Sequence, residues 1–187
     1  MAEIPDTHGR WPLVGAAALA PVVVASARRR ELVPLAVLLA HQTEEWVWPG
    51  GFLPWINREV LGSSDDEFPL DRRAGLVINV GLGWVLSLSV LAGPRAAAPQ
   101  AVLYVSHLGN AALHIGWALR HRRPDPGVVT GTLGLLPLGV IGLRRLVRDP
   151  DVNRGALLAG VVGGFVFAAG MAPFFKARLA RARRRQP

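Results

Sequence analysis

The sequence predicts an all-α fold, a polytopic bundle of about six transmembrane helices forming a single domain. Three observations predict it. Apolar residues make up 51% of the 187 residues and charged ones only 18%, below the ~25% of soluble proteins. The charges are segregated, with arginine clusters closing long apolar runs, as basic loops close membrane spans. Six of those runs approach or reach the ~17–25 residues that a helix needs to cross a hydrocarbon core.

The first run, 11–27, is closed by Arg28-Arg29-Arg30. Ala25-Ser26-Ala27 imitates a signal-peptide cleavage site, but Glu3 and Asp6 against Arg10 give the leading segment the wrong charge, so the run is expected to remain as a helix. The second, 32–48, ends at Pro49-Gly50-Gly51, and the third, 75–93, stops at Pro94-Arg95. The fourth, 99–119, is followed by Arg120, Arg122 and Arg123, and the fifth, 127–143, by Arg144 and Arg145. The sixth, 155–175, leads into a basic C-terminal tail, 176–187. Pro34 and Pro137 mark expected kinks, which neighbouring helices tolerate in a membrane.

Residues 49–74 form the longest connection. Phe52, Leu53, Trp55 and Ile56 place its first half at a membrane surface, and Ser63 to Glu67 reads as a polar turn. A plain linker and a lid over a site both fit. Trp46, Trp48, Trp55 and Trp117 are expected to form an aromatic belt, with lining of a cavity as the alternative. Two GxxxG pairs, Gly127/Gly131 and Gly160/Gly164, suit close helix packing inside the bundle or contacts in a homo-oligomer.

The formal charge of +8 does not call for a nucleic-acid partner, because the basic residues sit at the ends of apolar runs, where lipid headgroups explain them. The expected partner is the lipid bilayer of the cell membrane. Six spans put both termini on one side, and that side holds the larger share of arginine, largely through the tail. The positive-inside rule makes it the cytoplasm. The chain has no cysteine, which excludes disulfides, thiolate metal sites and cysteine nucleophiles. His8 in the leader and His121 inside an arginine cluster are expected at the interface.

Ionisable residues inside a span are costly and point to function by default. The second run carries His41, Glu44 and Glu45, which at 100° per residue share about 100° of arc. In the fourth, His107, Asn110 and His114 follow i, i+3 and i+7 spacing and project from one stripe. Asn79 is the only amide of the third run. At 1.5 Å per residue Glu45 lies about 20 Å along its helix, and His107 and His114 about 12 and 22 Å along theirs. The polar residues therefore share the half of the membrane that faces the 49–74 connection.

Histidines and carboxylates projecting inward suit a divalent metal, zinc or iron. His41, Glu45, His107 and His114 are the candidate ligands. Glu44, Glu45 and His41 are the candidate catalytic residues. Asn79, Asn110, Trp46 and Tyr104 are candidates for binding substrate. Di-iron bundles use carboxylates and histidines in a related way, but with Glu before His, an order not matched here. A hydrogen-bond network that merely fixes helix packing is the plainer alternative.

His41-Gln42-Thr43-Glu44-Glu45 resembles the motif that names the HXXEE family of bacterial integral membrane proteins, and His107 and His114 are similar to that family's further histidines in downstream helices. The resemblance covers most of the chain from the second run to the sixth. It implies a membrane location and brings no particular activity.

The residues themselves suit a metal-dependent intramembrane enzyme, hydrolase or oxidase, acting on a lipid-like or hydrophobic small molecule, with one glutamate as general base. A metal-free isomerase or cyclase working by Glu/His acid–base chemistry is the runner-up, with carboxylates and tryptophan faces stabilising a carbocation. Sterol isomerases of the emopamil-binding type offer an analogy. A small proton- or metal-coupled transporter and a scaffold are further readings.

Overall fold

A computed structural model of the chain describes residues 10–185, and helix is the only regular secondary structure among them. His8 and the acidic leader lie outside the described residues. Helix α1 is Trp11–Arg28. A 3-10 turn, Arg30–Leu32, leads into α2, Val33–Trp46. A short α3, Phe52–Trp55, widens into the π-helical turn Ile56–Val60. Helix α4 begins as Arg72–Leu76, becomes π-helical over Val77–Trp84 and finishes as Val85–Leu88. After a break come α5, Ala97–His121, then α6, Val128–Arg148, and α7, Arg154–Arg183.

Four stretches are long and apolar enough to cross a membrane: Trp11–Arg28, Arg72–His121, Val128–Arg148 and Arg154–Arg183. The second of these is broken at Gly93, whose φ of 62° and ψ of −149° are not helical. Past that break the chain folds back, so that Leu86 and Val90 of one arm pack against a buried cluster that includes Ala97 and Ala101 of the other. Gln100 Nε2 donates to the Gly93 carbonyl at 2.6 Å and holds the turn. The outer faces are apolar and uncovered, with Leu133 75% exposed, Val24 68% and Phe165 66%, the reverse of the pattern expected in water.

Helix α2 is shorter than its apolar run. It stops at Trp46, where the Val47 and Trp48 amides both bond back to the Thr43 carbonyl and unwind the last turn. Pro34 sits in its first turn and produces no kink, because the N–H it lacks has no intrahelical partner there. Pro137 follows a π-helical turn, Gly131–Leu135, a local widening that adapts the backbone to proline.

Asp71 and Asn153 cap α4 and α7 by accepting from the Ala74 and Ala156 amides at 2.8 and 2.9 Å, the roles preferred for Asp and Asn at a helix start. Helix α7 runs on through most of the segment expected as a basic tail. Phe175 and Leu179, one turn apart, are both buried, and Arg178 donates to the Pro69 carbonyl at 2.6 Å and to Asp71 at 3.0 Å.

Helix α5 is central, packed against α6 and α7, while α1 lies along α2. The second GxxxG pair makes this close packing possible. A Cβ on Gly160 would overlap the Ala98 carbonyl, and one on Gly164 would sit 2.8 Å from Val105 Cβ. Gly131 is buried against His114 and Ala111. Both pairs thus face partners within the chain.

The 49–74 connection is a packed cap. Leu53, Trp55, Ile56, Leu61 and Leu70 form one buried cluster with Trp117 of α5 and Phe175 of α7. Asn57, fully buried, staples the cap internally. Its Nδ2 donates to the Asp66 and Leu70 carbonyls at 2.8 Å each, and its Oδ1 accepts from the Leu70 amide at 3.0 Å.

Candidate metal centre

The cap's underside and the ends of α2, α5 and α6 enclose a buried polar cluster. Residues 41 and 45 are one helical turn apart, so α2 presents His41 and Glu45 on one face. Glu45 Oε1 lies 3.3 Å from His41 Nε2 and 3.2 Å from His114 Nε2 of α5. All three side chains are at least 97% buried, and each offers a donor atom within 4.8 Å of the others. Two ligands at the ~2.0–2.1 Å bond length of a tetrahedral zinc ion stand about 3.3 Å apart. The two His–Glu separations are compatible with that edge, and equally with direct hydrogen bonds.

The remaining ring nitrogens are fixed. His114 Nδ1 lies 2.5 Å from Asp125 Oδ1. A carboxylate accepts only, so His114 donates from Nδ1. His41 Nδ1 is 2.9 Å from Thr130 Oγ1. The Thr130 hydroxyl has one proton, and a short bond delivers it to Glu44 Oε2. Thr130 therefore accepts from His41 Nδ1–H, and Nε2 of the same ring faces Glu45. This is the outer-shell arrangement that orients metal-binding imidazoles.

Glu44 thereby has a different place from its neighbour. Its carboxylate also accepts from the Val129 and Thr130 amides at 3.1 and 2.7 Å, so it holds the first turn of α6, where free N–H groups favour an anion, and it stays outside the three-residue group. Gly127 opens α6 with a φ of 116°, and a Cβ there would sit 2.7 Å from His114 Cε1 and 2.9 Å from His41 Cε1. Only glycine satisfies both the backbone angle and the close approach.

Trp55 of the cap stacks on His114 at 5.0 Å and 16°, and Trp117 meets Trp55 edge-on at 5.5 Å. Trp46 packs edge-on against Trp11 at 4.9 Å. The expected aromatic belt is thus corrected for Trp46, Trp55 and Trp117. Each has an apolar or imidazole partner inside the fold, and of the four only Trp48 is exposed. His121 is exposed and stacks on Trp117 at 4.5 Å.

Beside the cluster lies a cavity of about 250 Å³ between α2, α4, α5, α7 and the cap, largely apolar. Glu45 is the member of the three-residue group that lines it, together with Trp46, Asn79, Ser106, His107 and Asn110. Asn79 sits in the π-helical part of α4 and accepts from Gln42 Nε2 at 3.0 Å, while Gln42 Oε1 accepts from Trp84 Nε1 at 2.8 Å. Asn110 Nδ2 is 3.2 Å from His41 Nε2. His107 lies outside the three-residue group, with its Nε2 buried and unpartnered. Tyr104, the remaining candidate for substrate contact, is turned away from the cavity into a cluster with Leu146 and Leu157, against Gly142.

Asp125 and Thr130 escaped the sequence reading. Asp125 had a signal, as the sole carboxylate in the strongly basic connection between the fourth and fifth runs. Thr130 had none, since Thr132 is equally placed in the same run.

Residues 32–141 match the sequence profile of a family described as protein of unknown function with HXXEE motif, which covers more than half of the chain. No curated protein and no solved structure matches the chain. The chain belongs to the HXXEE family.

Proposed function

We propose that this HXXEE-family chain is a membrane-embedded enzyme of the cell membrane that holds a divalent metal, zinc or iron, at His41, Glu45 and His114 and acts on a lipid-like or hydrophobic small molecule in the adjoining cavity. The observation that carries the reading is the convergence of His41 Nε2 and His114 Nε2 on Glu45 Oε1 at 3.3 and 3.2 Å, each imidazole oriented from behind by Thr130 or Asp125. Three protein ligands with a free fourth position are the pattern of catalytic zinc sites. The belt of exposed apolar side chains supports burial in the bilayer, and the largely apolar cavity supports a hydrophobic substrate.

A metal bound there supplies Lewis acidity or, for iron, redox chemistry. The chain's own residues divide the remaining work. Glu45 links the metal group to the cavity. Glu44 is a positioning residue, fixing the His41 tautomer through Thr130. Trp55 and the cap exclude water above His114. Cobalt(II) substitution tests the reading. A visible spectrum of tetrahedral cobalt with mixed nitrogen and oxygen ligation, abolished in His114→Ala, supports it; octahedral, fully hydrated cobalt contradicts it.

One contact favours the metal-free alternative. Asn110 Nδ2 lies 3.2 Å from His41 Nε2, the nitrogen that a metal would take. If that hydrogen bond persists in the working protein, Glu45 and the histidines act as an acid–base set for an isomerase or cyclase.

A further inference from the structure

His107 Nε2 is a buried polar atom without a partner, on a residue only 5% exposed. Ser106 Oγ and Trp46 Nε1 are buried and unpartnered as well, and all three residues line the same cavity. Folded proteins satisfy nearly all such groups; the other unpartnered atoms, on Trp11, Trp55, Ser87, Trp117 and Asp125, belong to residues outside this cavity, and these three are set apart by sharing one space. The rest of the wall is mostly aliphatic or aromatic, contributed by residues such as Leu38, Ile78, Leu103 and Phe167. No arginine or lysine lines the cavity, and its one carboxylate, Glu45, already faces two imidazoles.

The geometry points to a ligand with a hydrocarbon body and a single uncharged polar end, a hydroxyl or a carbonyl, which His107 holds with Ser106 and Trp46. This rests on the reading of the cavity as the substrate site and names its substrate class. A phosphate or carboxylate headgroup would be desolvated there beside Glu45 with no cationic side chain to compensate it. A pure hydrocarbon would leave His107 unpaired. A hydroxyl is able both to donate and to accept, so it suits a pocket that offers an imidazole, a serine and an indole N–H. His107 is thus a specificity-determining residue, distinct from the metal ligands.

The test compares 1-dodecanol, dodecane and dodecyl phosphate as ligands of the detergent-purified full chain, by the concentration dependence of thermal unfolding, with metal content measured on the same samples. The alcohol is expected to bind about tenfold more tightly than the hydrocarbon, the worth of one buried hydrogen bond, and the phosphate ester more weakly than the alcohol. His107→Leu removes the preference of alcohol over hydrocarbon while the metal content stays unchanged, and His107→Gln, which carries a polar group near the position of Nε2, restores part of it. Equal binding of alcohol and hydrocarbon, preference for the phosphate ester, absence of binding by all three, or an undiminished alcohol preference in His107→Leu each overturns the proposal. Should His107→Leu fail to fold, the wild-type ranking and the Gln variant still decide. A metal-free protein that keeps the alcohol preference would remove the metal reading and leave this one standing.

Discussion

Replacing Gly127 by alanine places a single methyl group against both His41 and His114. The added Cβ would lie 2.7 Å from His114 Cε1 and 2.9 Å from His41 Cε1, where ordinary contact begins at 3.4 Å. The imidazoles must therefore retreat by about 0.7 and 0.5 Å, beyond the ~0.2 Å that a metal–ligand bond tolerates. The φ of 116° at this position adds backbone strain of about 1–3 kcal/mol for an L-residue, and overpacking adds about 1–3 kcal/mol more. Gly127→Ala is expected to destabilise the fold by about 2–6 kcal/mol and to weaken metal binding by at least tenfold. Gly116→Ala is the control. That position is helical, and a Cβ there meets nothing within 4 Å, so this substitution is neutral or stabilising by up to about 1 kcal/mol. Thermal unfolding and competitive metal titration with a chromophoric chelator read both effects. If Gly127→Ala matched the control in both assays, the close packing of the two imidazoles against the α6 start would be refuted.

Asp125→Asn loses the charge behind His114 Nδ1 and is expected to lower metal affinity about 10–100-fold, with the helical circular dichroism unchanged. Glu44→Gln weakens the hold on the first turn of α6 by about 1–2 kcal/mol and costs less metal affinity than Glu45→Gln, a ranking that the same titration reads. Asp71 gives the cap a pH dependence. Burial raises the pKa of its carboxyl, but the Ala74 N–H and the Arg178 guanidinium outweigh that and hold it below its ordinary 3.8. A carboxyl depressed on folding stabilises above its ordinary value and loses that contribution as pH falls through the folded one. The protection of residues 52–70 against hydrogen exchange, taken relative to the intrinsic rate at each pH, should accordingly hold down to about pH 4 and fall below it, whereas Asp71→Asn shows lower protection at neutral pH and little further change on acidification.

The helical class and the first span were legible because apolar runs closed by arginines leave little choice, and Trp11–Arg28 begins where its run begins. The ends of other helices were less so. Phe175 and Leu179 extend α7 because the cap offers them a buried partner, and hydropathy does not see that partner. Within the site, periodicity along one helix paired His41 with Glu45 and aligned His107 with His114, since both relations are local. It had no means of separating Glu44 from Glu45, which are adjacent in sequence but point one at the α6 backbone and the other at two imidazoles. Nor did it distinguish His114, in the three-residue group, from His107, on the cavity wall. Asp125 enters only because the connection after α5 turns back over the helix ends, at an Arg122 with φ of 53° and a Gly127 with φ of 116°. Trp55, expected at a membrane surface, is drawn inward by His114 and Trp117.

Elemental analysis of the protein purified without added chelator tests the central claim most directly. One zinc or iron per chain, lost in His41→Ala and in Glu45→Gln while the helical content and oligomeric profile are retained, is the predicted result. A wild-type chain that carries no transition metal and takes none up at micromolar concentration, yet remains folded, would contradict it.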